Sequence, residues 1–345
     1  MRASLYNAFR QPLTTGELPD PPLHQDGVLI AVEACGICRS DWHAWMGHDT
    51  DIRLPHVPGH ELAGTIDRIG TDVRRWAVGD RVTVPFCCGC GSCQQCLRGA
   101  PHICDAYTQP GFTHWGAFAD LVAIRHADLN LVALPAEVDA VTAASLGCRF
   151  ATSFRALVDQ GRCQAGQWVA VHGCGGVGLS AIMIARAIGA EVIAIDIDPR
   201  RLAMARQFGA AETIDPQASA VVARIRQITG GGADISIDAL GSRETCWNSI
   251  ECLAKRGRHI QVGLMLGDHA APSVPMSAVI AGELEIYGSH GMQAVEYPRM
   301  LRMIASGTLD PRALVRDVVS LEEGARLLTQ MDQFPGEGMT VIEFP

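Results

Sequence analysis

At 345 residues the chain is long enough for two domains of ordinary size, each with its own core. Hydrophobic residues make up 48% and charged residues 19%, which excludes a disordered chain. The formal charge of −9, with no long block of like charge, argues against nucleic acid or an anionic membrane surface as the main partner.

Residues 1–11 lack the apolar run of a signal peptide, so a cytoplasmic location is expected. Up to about residue 150, short apolar runs alternate with Gly, Pro and Asp, and strand-and-turn chemistry dominates. Strands are predicted at 28–34, 62–69 and 80–85, in a β-rich, barrel-like domain. The pattern then changes. Residues 167–173 read as a strand, and 179–188 as a helix stopped by Gly189. A second strand, 191–195, runs into Asp196, and a helix over 199–208 stops at Gly209. Further strands follow at 235–238, 259–263 and 285–288, which implies a parallel sheet built from βαβ units. The most apolar stretch, 168–188, is broken by glycines and reads as buried strand plus helix, not as a membrane span. Helices are predicted at 297–305 and 321–330, and a last strand at 340–344. A lone terminal strand needs a sheet to join, so this one is expected to return to the first domain.

Gly173, Gly175, Gly176, Val177 and Gly178 lie in a G-x-G-x-x-G loop. The loop has a strand before it, a helix after it, and an acidic residue, Asp196, ending the next strand. That context is the dinucleotide-binding pattern. One glycine turns, one admits the pyrophosphate and one lets helix and strand pack closely, while the helix N-terminus faces the phosphates. Asp196 is expected to accept from the adenosine ribose hydroxyls and to repel the extra phosphate of NADP, so NAD is favoured. Arg200 and Arg201 stand nearby. A solvated helix face is the better reading for both, with Arg201 kept as a cofactor-site candidate.

Of thirteen cysteines, six fall between Cys87 and Cys104, and clustered thiols in a reducing compartment point to metal. Cys90, Cys93, Cys96 and Cys104 give C-x2-C-x2-C-x7-C, which suits a closed tetrahedral zinc, with an iron–sulfur cluster as the rival chemistry. Three further segments carry dispersed donors: Cys38 in CGICRSDWH, His60 in GHELAG and Cys148 in LGCRFAT. Spacing alone does not join them.

Taken together and in this order, the three segments, the cysteine loop and the glycine loop resemble the medium-chain, zinc-dependent alcohol dehydrogenase family over nearly the whole chain. The resemblance implies an α/β plus β fold: a GroES-like catalytic domain (1–150 and 290–345) with an inserted Rossmann NAD-binding domain (151–289) and the active site in the cleft between them. It implies Cys38, His60 and Cys148 as ligands of a catalytic zinc, and Cys90, Cys93, Cys96 and Cys104 as ligands of a structural one. Glu61 matches a carboxylate near the metal, and Asp41 the one that orients the ligand histidine. Ser40 and His43 match a proton relay, Arg39 a pyrophosphate-binding residue and Thr152 a residue beside the nicotinamide. Trp42, Phe86 and Trp115 are candidate walls of the substrate pocket, with Phe112 and His114 close to the last of them. His48, His56, His269 and His290 receive no role. The implied activity is reversible hydride transfer between a primary or secondary alcohol and NAD, in a dimer or tetramer. The alternatives are a polyol or amino-alcohol dehydrogenase, a zinc-free reductase on the same scaffold, and a noncatalytic NAD-binding relative.

Overall fold

The computed structural model describes residues 1–332 and 338–345. The chain divides into two compact units, Met1–Ala151 with Gly291–Pro345, and Thr152–His290.

The first unit is built on Val28–Ile37, a near-continuous apolar run buried on both faces, as a central strand requires. It pairs antiparallel with Glu61–Ile69 along its length, with Leu121–Ile124 at its start and with Met339–Glu343 at its end. The terminal strand thus finds its sheet here, with Thr340 opposite Ile37 and Glu343 opposite Ala34. Arg81–Thr83 and Val132–Ala133 extend one side, and Val315–Val319 lies beyond the terminal strand. Within this β-rich half the structure adds a helix that the sequence pattern did not show, Arg39–Trp45. It is only two turns long, too short for a 3.6-residue period to stand out. Asp41 sets its start by accepting from the Cys38 backbone amide at 3.0 Å, as in a capping box. A second short helix, Ala140–Ala144, packs its alanines on Ala34 and Ala63 of the two central strands and leads into a wide π-helical turn, Leu146–Phe150.

In the second unit six parallel strands lie in the order Glu212–Ile214, Glu191–Ile195, Trp168–His172, Ala233–Asp238, Leu253–Gln261 and Glu285–Gly288. In chain order this is 3-2-1-4-5-6, the doubly wound Rossmann arrangement, whose strand order reverses between Trp168–His172 and Ala233–Asp238. Ligands bind such sheets at the carboxyl ends of the strands flanking that reversal. Gly173 sits there, and a Cβ on it would stand 3.2 Å from the Leu240 side chain that follows the neighbouring strand. Helices Val221–Thr229, Arg243–Glu251 and Met276–Gly282 lie in stretches where the apolar pattern predicts no element. No described helix is long and apolar enough to cross a membrane.

Candidate active site

Strand register brings the first two dispersed donors together. Gly36 pairs with Glu61 in the antiparallel ladder, so Cys38, just past one strand, and His60, just before the other, stand at the same end. Cys148 arrives on the π-helical turn. Gly147 permits that approach, because a Cβ on it would lie 2.8 Å from Glu61 Cα. The donor atoms of Cys38, His60 and Cys148 all fall within 4.8 Å of one another.

Asp41 and His60 are fully buried. Asp41 accepts from His60 Nδ1 at 2.8 Å and from the amides of Cys38 and Gly59 at 3.0 and 3.1 Å. The Nδ1 contact fixes the ring so that Nε2 faces the two thiols, just as a carboxylate partner orients a metal-binding histidine. His60 Nε2 is buried without a hydrogen-bond partner. A buried polar atom left in this state is costly unless something else binds it. Two thiols and a bare imidazole nitrogen are the donor set of a three-ligand zinc site, so the residues fit that ion. The electrostatics agree. Although burial opposes it, Asp41 and Cys38 hold the His60 ring well above its usual pKa, so the cluster favours positive charge at its centre.

Glu61 carries the other half of the support. Fully buried, it accepts from the Cys148 amide at 3.0 Å and the Arg149 amide at 3.3 Å. The Arg149 guanidinium closes on it through Nε at 3.2 Å and through Nη2. Burial raises the Glu61 pKa, with Arg149 opposing. Arg149 received no role from the sequence. Its position directly after a ligand cysteine was the available signal, but its partner lies 88 residues away.

The other candidates are placed as follows. Ser40 Oγ lies 3.7 Å from Cys38 Sγ. His43 is half-buried on the same helix, and its Nδ1 is 3.1 Å from His48 Nδ1. The Arg39 guanidinium stands 4.0 Å over the Trp42 ring and donates to the Met331 carbonyl at 2.9 Å. Phe86 and Phe112 pack edge-on against the His60 ring, with centroids 6.2 and 5.3 Å away. Trp115 donates to the Pro55 carbonyl and, with His114, lines a cavity of about 480 Å³ walled by Pro19, Pro21 and Pro22.

The sulfurs of Cys90, Cys93, Cys96 and Cys104 also lie within 4.8 Å of one another, with Cys93 and Cys104 at 3.6 Å. Zinc–sulfur bonds of about 2.3 Å in a tetrahedron set the sulfurs about 3.8 Å apart, so the spacing suits one ion and not a multi-iron cluster. Backbone amides of Cys90, Cys93, Cys96 and Ala106 point at these sulfurs. The Ser92 hydroxyl and amide, with the Cys93 amide, pull the Cys90 thiol down to about 5. Asn130 clamps the loop by bonding both the amide and the carbonyl of Gly89 at 2.9 Å.

In the second unit Gly173 has φ +94°, and a Cβ on Gly178 would lie 1.8 Å from the Gly173 carbonyl oxygen. Around Gly175 nothing lies within 4 Å of such a Cβ, so its surroundings are open to a ligand. Gly176 and Val177 begin the helix Gly176–Ile188, and Ser153 donates to the Val177 carbonyl. Thr152, the first residue of this unit, is buried. Asp196 accepts from the Cys174 amide at 2.7 Å and the Asp198 amide at 2.9 Å, which fixes its carboxylate at the end of the second strand. Arg200 turns to Asp198, whereas Arg201 Nη1 lies 3.8 Å from Asp196.

A three-donor metal site in one unit and a dinucleotide loop in the other define a zinc-dependent oxidoreductase. Residues 24–136 match the family described as alcohol dehydrogenase GroES-like domain, and residues 176–306 the one described as zinc-binding dehydrogenase. An NAD-dependent alcohol dehydrogenase of Sulfurisphaera tokodaii is 31% identical, with 99% of each chain covered. A sorbitol dehydrogenase of Bacillus subtilis is 30% identical over 100% of this chain and 97% of the relative. Among solved structures, the alcohol dehydrogenase TADH from Thermus sp. ATN1 superposes with a TM-score of 0.92 at 29% identity, covering 99% of each chain. The chain belongs to the medium-chain, zinc-dependent alcohol dehydrogenase family.

Proposed function

We propose that this chain interconverts a primary or secondary alcohol with its aldehyde or ketone, using NAD. The observation that carries the reading is the convergence of Cys38, His60 and Cys148 around an unpartnered His60 Nε2. When bound, a zinc there supplies a Lewis acid for the substrate oxygen, and NAD supplies the hydride acceptor. Cys90, Cys93, Cys96 and Cys104 would hold a second zinc that ties down their loop.

The chain's own residues do the rest. Asp41 holds the His60 tautomer, and Glu61 with Arg149 holds the turn bearing Cys148. Phe86 and Phe112 line the donors with apolar surface and exclude water there. Ser40, beside Cys38, receives the hydroxyl proton, and His43 carries it outward. Burial, Arg39 and His48 hold the His43 pKa below its usual value, which favours release over retention. Asp196, anchored by two backbone amides, accepts from the cofactor ribose and disfavours a 2′-phosphate.

A polyol is the second reading, favoured by the sorbitol dehydrogenase among the relatives. Homo-oligomerisation, as a dimer or tetramer, fits the edge strand Glu285–Gly288 with its exposed Ile286. Thirteen cysteines, none in a disulfide among the described residues, suit a cytoplasmic location.

One screen tests the function. Primary alcohols, secondary alcohols and polyols are offered with NAD and NADP side by side, with zinc content measured. The reading expects two zincs per chain, NAD-linked turnover of an alcohol, and loss of turnover when a chelator strips the three-donor site. Full activity with no metal at that site, or binding of NAD with no turnover across the panel, overturns it.

A further inference from the structure

His48 lies outside every motif that the family resemblance explains, yet the chain is folded so as to press it against His43. Helix Arg39–Trp45 ends on Met46, and Gly47 follows with φ +83°. The Gly47 amide donates to the Ala44 carbonyl at 3.0 Å, and the His48 amide to the His43 carbonyl at 3.0 Å. This pair of bonds is a Schellman motif, in which a left-handed glycine turns the next residue back over the last helical turn. The two imidazoles meet as a result, with Nδ1 to Nδ1 at 3.1 Å. Trp42 walls the pair, edge-on to His43 at 5.0 Å and to His48 at 6.0 Å. His43 is half-buried and His48 is exposed, so the bond runs from interior to solvent.

We propose that His48 is the outlet of the proton path: His43 hands its proton across the Nδ1–Nδ1 bond, and His48 delivers one to water. The step presupposes the dehydrogenase reading above. Only one of the two facing nitrogens carries hydrogen at a time, so the bond itself is the transfer coordinate. In the oxidation direction a proton arrives at His43 Nε2, the Nδ1 proton of His43 crosses to His48 Nδ1, and the Nε2 proton of His48 leaves to water. Both rings end neutral with their tautomers inverted. A ring turn, or a passage in the reduction direction, resets them. The charged groups facing His43 are Arg39, on its own helix, and Cys38, with His48 the other titratable neighbour. Asp49, next to His48, is turned to the Asp51 amide at 2.9 Å and leaves the outlet to the imidazole.

The test is His48→Asn. The asparagine Oδ1 can still accept from His43 Nδ1 but cannot pass a proton through. Alcohol oxidation is followed from pH 5.5 to 9 in a dilute, non-imidazole buffer, with thermal unfolding and NADH binding as controls. The expected result is unchanged stability and NADH affinity, with kcat lowered about tenfold on the acid side and KM little changed. That is less than the roughly 10²–10⁴ of a group acting directly on a reacting oxygen, because water can stand in at an exposed end. Millimolar imidazole should restore most of the loss, and a variant that is merely misfolded would not respond to it. A pH profile superimposable on the parent's, or a loss that imidazole leaves untouched, overturns the outlet role. A parent enzyme that oxidises no alcohol overturns the dehydrogenase reading, and the outlet falls with it.

Discussion

Asp41 Oδ1 receives His60 Nδ1 at 2.8 Å while both side chains are fully withdrawn from water. The same carboxylate takes the amides of Cys38 and Gly59, so one residue ties together two of the three donors. Replacing it by asparagine keeps the size but loses the charge that makes His60 a stronger ligand. Losing the carboxylate that hydrogen-bonds a ligand histidine costs metal sites about 10- to 100-fold in affinity. Asp41→Asn should therefore lose zinc from the three-donor site at chelator concentrations that the parent resists. The four-cysteine site, which does not touch Asp41, should keep its zinc. Zinc counts after dialysis against a graded chelator series decide the point, and equal retention at the three-donor site refutes it.

Arg149 and Glu61 form a buried ion pair, and each supports the turn that carries Cys148. Removing one partner of such a pair leaves an uncompensated charge, typically costing about 3–5 kcal/mol. Arg149→Met should fall in that range at neutral pH. The cost should shrink as pH drops, because burial already raises the Glu61 pKa and a protonated Glu61 no longer needs the guanidinium. Arg149→Met combined with Glu61→Gln should recover part of the loss. Urea unfolding of the two single variants and the double at two pH values tests this, and strict additivity would show that the pair is not coupled.

The four-cysteine loop was legible from spacing, because its ligands lie within one short segment. The three-donor site was not. Strand register and a π-helical turn assemble it from positions far apart in the chain, and only the family resemblance joined them beforehand. The nucleotide loop could be read with its physical reasons, since strand, glycines, helix and Asp196 follow one another directly. Arg149 and His48 escaped for the same reason as each other. An arginine or histidine near a motif reads as a solvated side chain until tertiary structure supplies its partner. Helix Arg39–Trp45 was hidden because Trp42, Ala44 and Trp45 are buried within two turns, too few to display a period.

Gly175 and Gly178 separate folding from cofactor binding. A methyl on Gly178 would sit 1.8 Å from the Gly173 carbonyl oxygen, whereas one on Gly175 would meet nothing within 4 Å. Gly178→Ala should destabilise the protein by about 1–3 kcal/mol or more through overpacking. Gly175→Ala should leave stability nearly untouched and weaken NADH binding instead, because the methyl occupies the space the pyrophosphate approaches. Thermal unfolding without cofactor and NADH fluorescence titration read the two effects independently. The reverse pattern would remove Gly175 from the phosphate site.

Asp196 and Arg201 face one another at 3.8 Å, so the carboxylate proposed to accept from the ribose hydroxyls also restrains the nearby guanidinium. Asp196→Ser should lose hydrogen bonds to a charged acceptor, about 1.5–3 kcal/mol for NAD, while freeing Arg201 for a 2′-phosphate. The ratio of kcat/KM for NADP to that for NAD should rise by about tenfold or more. An unchanged ratio would mean that Asp196 does not choose the cofactor.

His172 and His259 are buried on the two parallel strands that flank Ala233–Asp238 in the second unit, where burial depresses their pKa values to about 3 and about 4. His259 is held by Ser249 at 2.9 Å. Both are neutral when folded but take a proton near pH 6.5 once the chain unfolds. Below that pH the unfolded state therefore binds more protons than the folded one, and stability must fall as pH falls. Each histidine contributes about 1.4 kcal/mol per pH unit, so together they account for about 2.7 kcal/mol per unit between roughly pH 6 and 4.5. Above pH 7 they contribute no slope. Replacing His259 by glutamine, which keeps a hydrogen-bonding group beside Ser249, should halve this part of the acid slope. The measurement is urea unfolding at half-unit intervals from pH 4.5 to 8, and a slope unchanged by His259→Gln would mean that acid sensitivity originates elsewhere.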